Sequence, residues 1–324
     1  MSSTKDEQKL ALVSRMLSYQ QDNGESTPVT LKQLSSKLPE EYRETIDDVN
    51  RIISGDARVL SGYDSARFLM LIKLMNVARS EGVDTTTMLA NISQSVTEAI
   101  NQADDFWGVF QTLMSYLVVV FAIAMMVVSI FMEKVLPEFR DVFDDFNAEL
   151  PEFTRFVLDN ELALFIIVIG IGQCVLVSAL LSVHIKGRVS AFEPLSRWCR
   201  LIPGIRDLHS IYGYYLYIQY ARILMQTGMK SVDALSHGKI LAQVDTDNIH
   251  ELSILDDGVA IASDMRVLDK ELPHQIQQVS VKFIKQMTII RDRITRSTQA
   301  ATGVIIGGLI IAMYLPIFQL GSTT

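Results

Sequence analysis

The chain of 324 residues is 49% apolar and 20% charged, and its formal net charge of -8 disfavours a nucleic-acid-binding protein, which needs a basic face. Two cysteines, Cys174 and Cys199, form no disulfide framework, so the soluble parts are expected in a reducing cytosol. The start, MSSTKDEQKL, lacks the apolar core of a signal peptide. A non-secreted membrane protein is therefore expected.

Residues 1–105 are predicted to form a first cytoplasmic helical domain. Leu10, Val13, Met16 and Leu17 recur at helical spacing and are expected to share one apolar face. No stretch of the chain has the alternating pattern of a strand, so the predicted fold class is all-α.

Three apolar segments, residues 106–132, 162–184 and 299–320, are predicted to be transmembrane helices. Each is long enough to cross about 30 Å of hydrocarbon, and runs this apolar on all faces are rarely buried core helices. None contains Asp, Glu, Lys or Arg. Solute and ion transporters usually place a charged residue within the membrane, so this absence counts against a small-solute transporter or channel, which is the alternative function.

The distribution of basic residues predicts the direction of the spans. Residues 133–161 contain three basic and nine acidic side chains, whereas both flanks of residues 185–298 are rich in Lys and Arg. Because cytoplasmic loops carry the excess of Lys and Arg, residues 185–298 are predicted to be a second cytoplasmic helical domain. Residues 133–161 and the tail, 321–324, are then periplasmic.

The first and third spans end in the same step, Leu-Pro-x-Phe, which places Pro137 with Phe139 and Pro316 with Phe318. Proline is tolerated where a helix meets water, and a phenylalanine can rest in the membrane interface. In the predicted topology both steps lie at the outer end of a span that leaves the cytoplasm. Two spans that cross the membrane in the same direction and end in the same step are typical of an internal duplication.

Within residues 185–298, the stretch YYLYIQYARILMQTG predicts an amphipathic helix that ends at Gly228. A second helix follows and carries Val232 and Leu235. The stretch beginning ELPHQ predicts a long helix continuous with the third span. In that span Gly303 and Gly307 have a spacing that allows close helix packing, within the chain or between copies.

No catalytic, cofactor-binding or metal-binding residue is predicted. The stretch TDNIHELSILDDG gathers acidic residues around His250, but it has no glycine at the turning position of an EF-hand and no second histidine for a zinc protease. A polar loop is expected there instead. The chain also has no phosphate-binding loop of the form G-x-x-x-x-G-K-[ST].

Several stretches together resemble the inner-membrane platform proteins of type IV pilus and type II secretion machines. They are LIPGIRDL, the helix-Thr-Gly-helix element at residues 222–235, VLPEFRDVFDDFNAELPEFTR and MYLPIFQLG. The resemblance covers residues 105–321. It departs from the family in a shorter N-terminal region and in LDKELPHQ, which stands where the family has a Gly-Glu turn. This trimming is similar to the compact platforms of toxin-coregulated or bundle-forming pili.

The resemblance implies a non-enzymatic assembly platform in a bacterial inner membrane, with its N-terminus in the cytoplasm. The implied partners are a cytoplasmic hexameric ATPase, the pilin or prepilin and other inner-membrane assembly proteins, and the chain is expected to form homo-oligomers. Arg222, Lys230 and Asp233 are the candidate ATPase-binding residues. The resemblance leaves pilus assembly and secretion both open, and a membrane-tethered sensor or adaptor is a third alternative.

Overall fold

The computed structural model describes residues 2–54, 66–82, 115–116, 118–145, 151–190, 192–201, 205–244 and 250–323. All regular structure within these residues is helical, which confirms the predicted all-α class. The chain divides into two compact units. The helical unit comprises Met1–Trp107 and Ile185–Thr288, and the span unit comprises Gly108–His184 and Ile289–Thr324.

In chain order the helices are α1 (Ser2–Asp22), α2 (Thr27–Lys37), α3 (Arg43–Ser54), α4 (Ala66–Ser80), α5 (118–130), α6 (Leu136–Asp145), α7 (Glu152–Asp159), α8 (Glu161–Ser190), α9 (Arg206–Gln226), α10 (Ser231–Ala242), α11 (His250–Asp264) and α12 (Leu268–Thr323). A wide π turn at Phe131–Val135 joins α5 to α6. Short 3-10 turns occupy Glu40–Tyr42 and Arg197–Leu201.

In the described part of the chain, three helical segments are long and apolar enough to cross a membrane: Val118–Phe143, Phe165–Val189 and Leu268–Ala312 of α12. They confirm the predicted polytopic architecture, although residues 106–114 and 117 of the first predicted span lie outside the described residues. The third span and the helix before it form one unbroken helix, as the sequence predicts. The predicted domain boundaries and the side of the membrane on which each domain lies stay predictions.

Helices α1, α2 and α3 share an apolar core. Its buried side chains are Leu10, Val13, Leu17, Leu31, Ile46, Val49 and Ile52. The predicted apolar face of α1 is wrong at Met16, which is 38% exposed. Ser14 is buried in its place, and its hydroxyl donates to the carbonyl of Leu10 at 2.7 Å. A serine is tolerated at this buried position because the backbone satisfies its hydroxyl.

Helix α9 is buried along almost its whole length, from Leu208 to Leu224. The prediction of an amphipathic helix is therefore wrong, because α9 has neighbours on several sides. Helix α10 packs against one side, and Phe283 of α12 approaches Tyr212 with ring centroids 5.3 Å apart. The hydroxyl of Tyr214 donates to the side-chain oxygen of Gln275 at 3.2 Å.

Small residues on α10 bring its backbone close to α9. Ala234, Gly238 and Ala242 recur every four residues and are buried. A Cβ atom at position 238 would lie 3.0 Å from the carbonyl oxygen of Tyr217 and 3.1 Å from the amide nitrogen of Ala221. Both neighbours are backbone atoms, so a side chain at position 238 would have to push the two helix backbones apart by a few tenths of an ångström.

Replacing Gly238 with valine is expected to lower the free energy of unfolding by about 2 kcal/mol, because the added methyl groups overpack the contact with α9. The measurement is the unfolding temperature of the full chain in detergent, followed by circular dichroism. Ser236→Val is the matched control, since Ser236 is exposed on the same helix. Equal effects of the two substitutions would contradict the packing argument.

The helices of the span unit continue through both Leu-Pro-x-Phe steps. Helix α6 runs on past Pro137 to Asp145, and α12 runs on past Pro316 to Thr323. A proline in a helix has no N–H to donate to the carbonyl four residues earlier, and its ring crowds that carbonyl. The wide turn at Phe131–Val135 lies directly before Pro137 and includes residue 133, the one affected. The helix therefore widens there instead of ending.

A side chain replaces the donor that Pro316 removes. In a regular helix the carbonyl of Ala312 would accept the N–H of residue 316. Thr154 of α7 is fully buried, and its hydroxyl donates to this carbonyl at 3.2 Å. Val128, Phe131, Val157 and Ala312 form the surrounding apolar cluster. Helix α7 is thus joined to α12 by both apolar packing and a directed hydrogen bond.

The substitution Thr154→Val is expected to lower the free energy of unfolding by about 1 to 3 kcal/mol, because it leaves the buried Ala312 carbonyl without this donor. Thr154→Ser keeps the hydroxyl and is the matched control. In a Pro316→Ala background, residue 316 again has a backbone N–H that can donate to the Ala312 carbonyl. Thr154→Val should then lower the free energy of unfolding by a smaller amount. Unfolding temperatures of the four variants test this coupling, and an equal cost of Thr154→Val in both backgrounds would contradict it.

Candidate functional site

Helices α9 and α10 form a hairpin whose connection is a tight turn. Thr227 follows the last residue of α9, and its hydroxyl donates to the carbonyl of Leu224 at 2.6 Å. Gly228 has a φ of +92°, a conformation that side chains with a Cβ rarely adopt. Helix α10 then begins at Ser231. The Thr-Gly element in the sequence is therefore the turn of this hairpin.

The predicted partner-binding residues lie close to the hairpin turn. Arg222 is half-buried in the last turns of α9, Lys230 is exposed directly before α10, and Asp233 is half-buried in the first turn of α10. All three are within about two helical turns of Gly228 along the chain. Their role in binding stays a prediction.

The outward side of α10 carries apolar residues that sequence reasoning did not single out as a surface. Val232 is 71% exposed and Ile240 is 72% exposed, with Ser236 exposed between them. We call these three residues the α10 strip. The regular spacing of small residues on the opposite side of α10 is the sequence signal that could have shown which face packs inward. Exposed large apolar residues in one row are typical of protein contact surfaces.

The stretch TDNIHELSILDDG is mostly helical, because α11 begins at His250. The expectation of a polar loop is wrong for this part, and residues 246–249 lie outside the described residues. Asp256 of α11 lies 3.2 Å from the Lys239 ammonium group of α10. Nowhere in the described part of the chain do three or more His, Cys, Asp or Glu side chains gather in a way that could hold a metal.

Side-chain contacts link α4 and the residue that follows it, Glu81, to later residues of the helical unit. His237 of α10 lies 3.3 Å from the carboxylate of Glu81, and Lys73 lies 4.0 Å from that of Glu193. Glu193 also pairs with Arg188 at 2.8 Å. Each of the first two pairs has an exposed partner, Glu81 or Lys73, and such pairs add little stability.

Comparison with known proteins identifies curated relatives. The type IV pilus assembly protein PilC of Pseudomonas aeruginosa is 25% identical over 321 residues, which covers 88% of this chain and 80% of that protein. The type 4 fimbrial assembly protein PilC of Pseudomonas putida is 26% identical over 58% of this chain and 53% of that protein. TapC of Aeromonas hydrophila, a type IV pilus assembly protein, is 24% identical over 64% of this chain and 56% of its own.

The chain is similar to these type IV pilus assembly proteins, and the similarity supports the inner-membrane platform family that its sequence resembles. No family model and no solved structure matches the chain. The long match to the Pseudomonas aeruginosa protein and the three apolar helices agree with the resemblance seen in the sequence. The finer likeness to compact toxin-coregulated or bundle-forming platforms stays a prediction.

The two glycines that are predicted to pack in the third span have open space beside them among the described residues. A Cβ atom added at Gly303 or Gly307 would meet nothing within 4 Å. The packing role of Gly303 and Gly307, within the chain or between copies, stays a prediction. The described side chains of the span-end motif, those of Pro137 and Phe318, are exposed, whereas the side chains of Phe139 and Pro316 lie outside the described set.

Four tyrosines of α9 are held in their neutral form by burial. Desolvation raises the pKa of Tyr212 and Tyr220 well above 10, and it also raises the pKa of Tyr214 and Tyr217. The hydroxyl of Tyr220 donates to the carbonyl of Phe192. These buried rings and hydroxyls fix the position of α9, and therefore of the hairpin.

The raised pKa values predict how stability depends on pH. Folding keeps these phenols neutral, so their contribution is complete below the unfolded pKa of about 10 and is lost as pH rises above it. The unfolding temperature should fall steeply above pH 10, and tyrosinate absorbance from these rings should appear only with unfolding. Tyr212→Phe should make the fall shallower. Ionisation of all tyrosines near their ordinary pKa in the folded chain would contradict this.

Proposed function

We propose that this chain is the inner-membrane assembly platform for type IV pilus biogenesis, coupling a cytoplasmic ATPase to pilin extraction and filament growth. The observation that carries the proposal is the match over 88% of the chain to a type IV pilus assembly protein, together with an all-α architecture of three apolar helices. The same architecture would serve a related type II secretion machine.

The helical unit lies on the cytoplasmic side in this proposal. Its support is the excess of Lys and Arg in residues 185–298 beside the spans, against the acidic balance of residues 133–161. The N-terminus is then cytoplasmic, and residues 133–161 face the periplasm. This arrangement presents the α9–α10 hairpin to cytoplasmic partners.

The energy for pilin extraction comes from a partner rather than from this chain. Moving an apolar helix of about 20 residues out of the bilayer costs on the order of 6 to 12 kcal/mol, at about 0.3 to 0.6 kcal/mol per residue. The sequence has no phosphate-binding loop that could hold a nucleotide. The chain is thus a non-enzymatic platform, and a hexameric cytoplasmic ATPase supplies the work.

The ATPase docks on the end of the α9–α10 hairpin and on the α10 strip. The strip offers two exposed apolar side chains, and the exposed ammonium of Lys230 and the half-buried carboxylate of Asp233 flank it. Apolar anchors surrounded by charged groups are the usual composition of a protein interface. Pilin and other inner-membrane assembly proteins are the partners of the span unit.

Two variants test the docking surface. Val232→Asp with Ile240→Asp, and separately Lys230→Glu with Asp233→Lys, are each expected to lower ATPase co-purification by at least about tenfold, because they remove anchors or reverse charges. Both leave the buried face of α10 unchanged. Val29→Asp is the matched control, since Val29 is exposed on α2. Undiminished co-purification in both variants would place the docking site elsewhere.

The platform role itself is tested in the bacterium that encodes the chain. Deleting the gene should abolish surface pili, counted by electron microscopy, while pilin accumulates in the inner membrane. The intact gene should restore them. Normal piliation in the deletion strain would refute the proposed role, and loss of enzyme secretion without loss of pili would assign the chain to a secretion machine.

A further inference from the structure

The short turn Arg197–Leu201, between α8 and α9, has an apolar and basic outer side. Leu201 is 83% exposed and Trp198 is 48% exposed. Arg197 and Arg200 are exposed beside them. We call these four side chains the turn face. A tryptophan and a leucine exposed together with two arginines are typical of segments that lie in the membrane interface.

The inner side of the same segment is firmly packed, so the turn face is held in place. Leu195 and Cys199 are buried. Phe192 is buried in a left-handed conformation, with a φ of 56°, and its ring meets that of Tyr220 edge-on at 5.3 Å between centroids. A bulky residue adopts this conformation only where its surroundings enforce it. The turn face is therefore a fixed surface that needs no ordering on contact.

The turn face stays near the end of the second span. The apolar helix Phe165–Val189 is followed at once by a chain reversal, in which the N–H of Phe192 donates to the carbonyl of Val189 at 3.0 Å. The N–H of Glu193 donates to the carbonyl of Arg188 at 3.1 Å. These hydrogen bonds fold the chain back on the end of this helix. The turn Arg197–Leu201, which follows a few residues later, therefore cannot extend far from the helix end.

The surrounding charge favours an anionic surface. The segment from residue 184 to residue 206 carries five basic side chains, those of Lys186, Arg188, Arg197, Arg200 and Arg206. Glu193 is its sole acidic residue and is paired with Arg188 at 2.8 Å. Anionic phospholipids give the cytoplasmic leaflet a negative surface potential that attracts basic segments close to a span.

We propose that the turn face binds the anionic phospholipid leaflet of the membrane that the spans cross. Trp198 and Leu201 enter the boundary between headgroups and acyl chains, and Arg197 and Arg200 lie on the lipid phosphates. The contact anchors the segment that leads into α9 at the membrane surface. This inference goes beyond the platform role, because it requires neither pilin nor ATPase.

The chain has two tryptophans, Trp107 and Trp198, so Trp107→Phe leaves a native reporter within the turn face. The full chain of this variant is reconstituted in vesicles of phosphatidylcholine and phosphatidylglycerol whose acyl chains carry bromine at shallow or deep positions. Trp198 emission should be quenched by bromine, more strongly at the shallow position, and little by aqueous iodide. Quenching by iodide alone would overturn the proposal. Protection from both quenchers would also overturn it, because another part of the protein would then cover the tryptophan.

The basic residues are tested in the same reporter chain. Arg197→Gln with Arg200→Gln should weaken the contact with phosphatidylglycerol by about fivefold for each arginine, and bromine quenching should fall accordingly. Arg15→Gln with Arg43→Gln is the matched control, since both residues are exposed on helices of the first 54 residues. Unchanged quenching in the first variant, or an equal fall in the control, would overturn the assignment to anionic lipid.

Discussion

A carbonyl group within a membrane-spanning helix must find its hydrogen-bond donor inside the protein, because hydrocarbon offers none. Each of the two span-end prolines removes one helix donor, and the local structure differs at the two sites. The helix widens to a π turn at Phe131–Val135 before Pro137, whereas Thr154 supplies the missing donor at Ala312. The second solution has the larger effect on the fold, because it joins α7 to α12. A motif that repeats in the sequence is therefore not repeated in its local structure.

The helical unit depends on a different match, between large side chains on α9 and small ones on α10. Helix α9 contributes tyrosines that fill the space around it, and α10 contributes Ala234, Gly238 and Ala242, which let the two backbones approach. Because the small residues take the inner side of α10, its larger apolar residues Val232 and Ile240 remain outside. The packing of the core thus creates the exposed strip that the proposed docking uses.

The fold class and the spans could be predicted from the sequence because they follow from segment length and apolarity. The continuity of α12 was also predictable, since no glycine or proline cluster interrupts it before the third span. Burial was predicted less well. Ser14 rather than Met16 faces the core of the first helices, and α9 is buried along almost its whole length rather than on one face. Which side chains are buried depends on contacts with residues distant in the chain. The apolar pattern of a single segment gives no information about those contacts.

For the candidate site, the Thr-Gly pair in the sequence predicted the α9–α10 hairpin and the position of its turn. It did not predict which side of α10 faces outward. Val232 belongs to an apolar pattern that fits either side of α10, and only the close approach at Gly238 decides between them. The partner-binding role of Arg222, Lys230 and Asp233 comes from the resemblance alone. The turn face was not singled out either, because Trp198 and Leu201 belong to no helical period.

The unbroken helix α12 has 56 residues, which at 1.5 Å per residue makes it about 84 Å long. Within the helical unit, Leu272 and Val279 of this helix are both buried and lie seven residues apart, on the same side of the helix. Inserting or deleting one residue between Leu272 and Val279 would rotate one of these side chains by about 100°, out of the buried side. Changes in length at this part of the gene should therefore be far rarer in evolution than changes of residue type, except where several residues restore the angular phase.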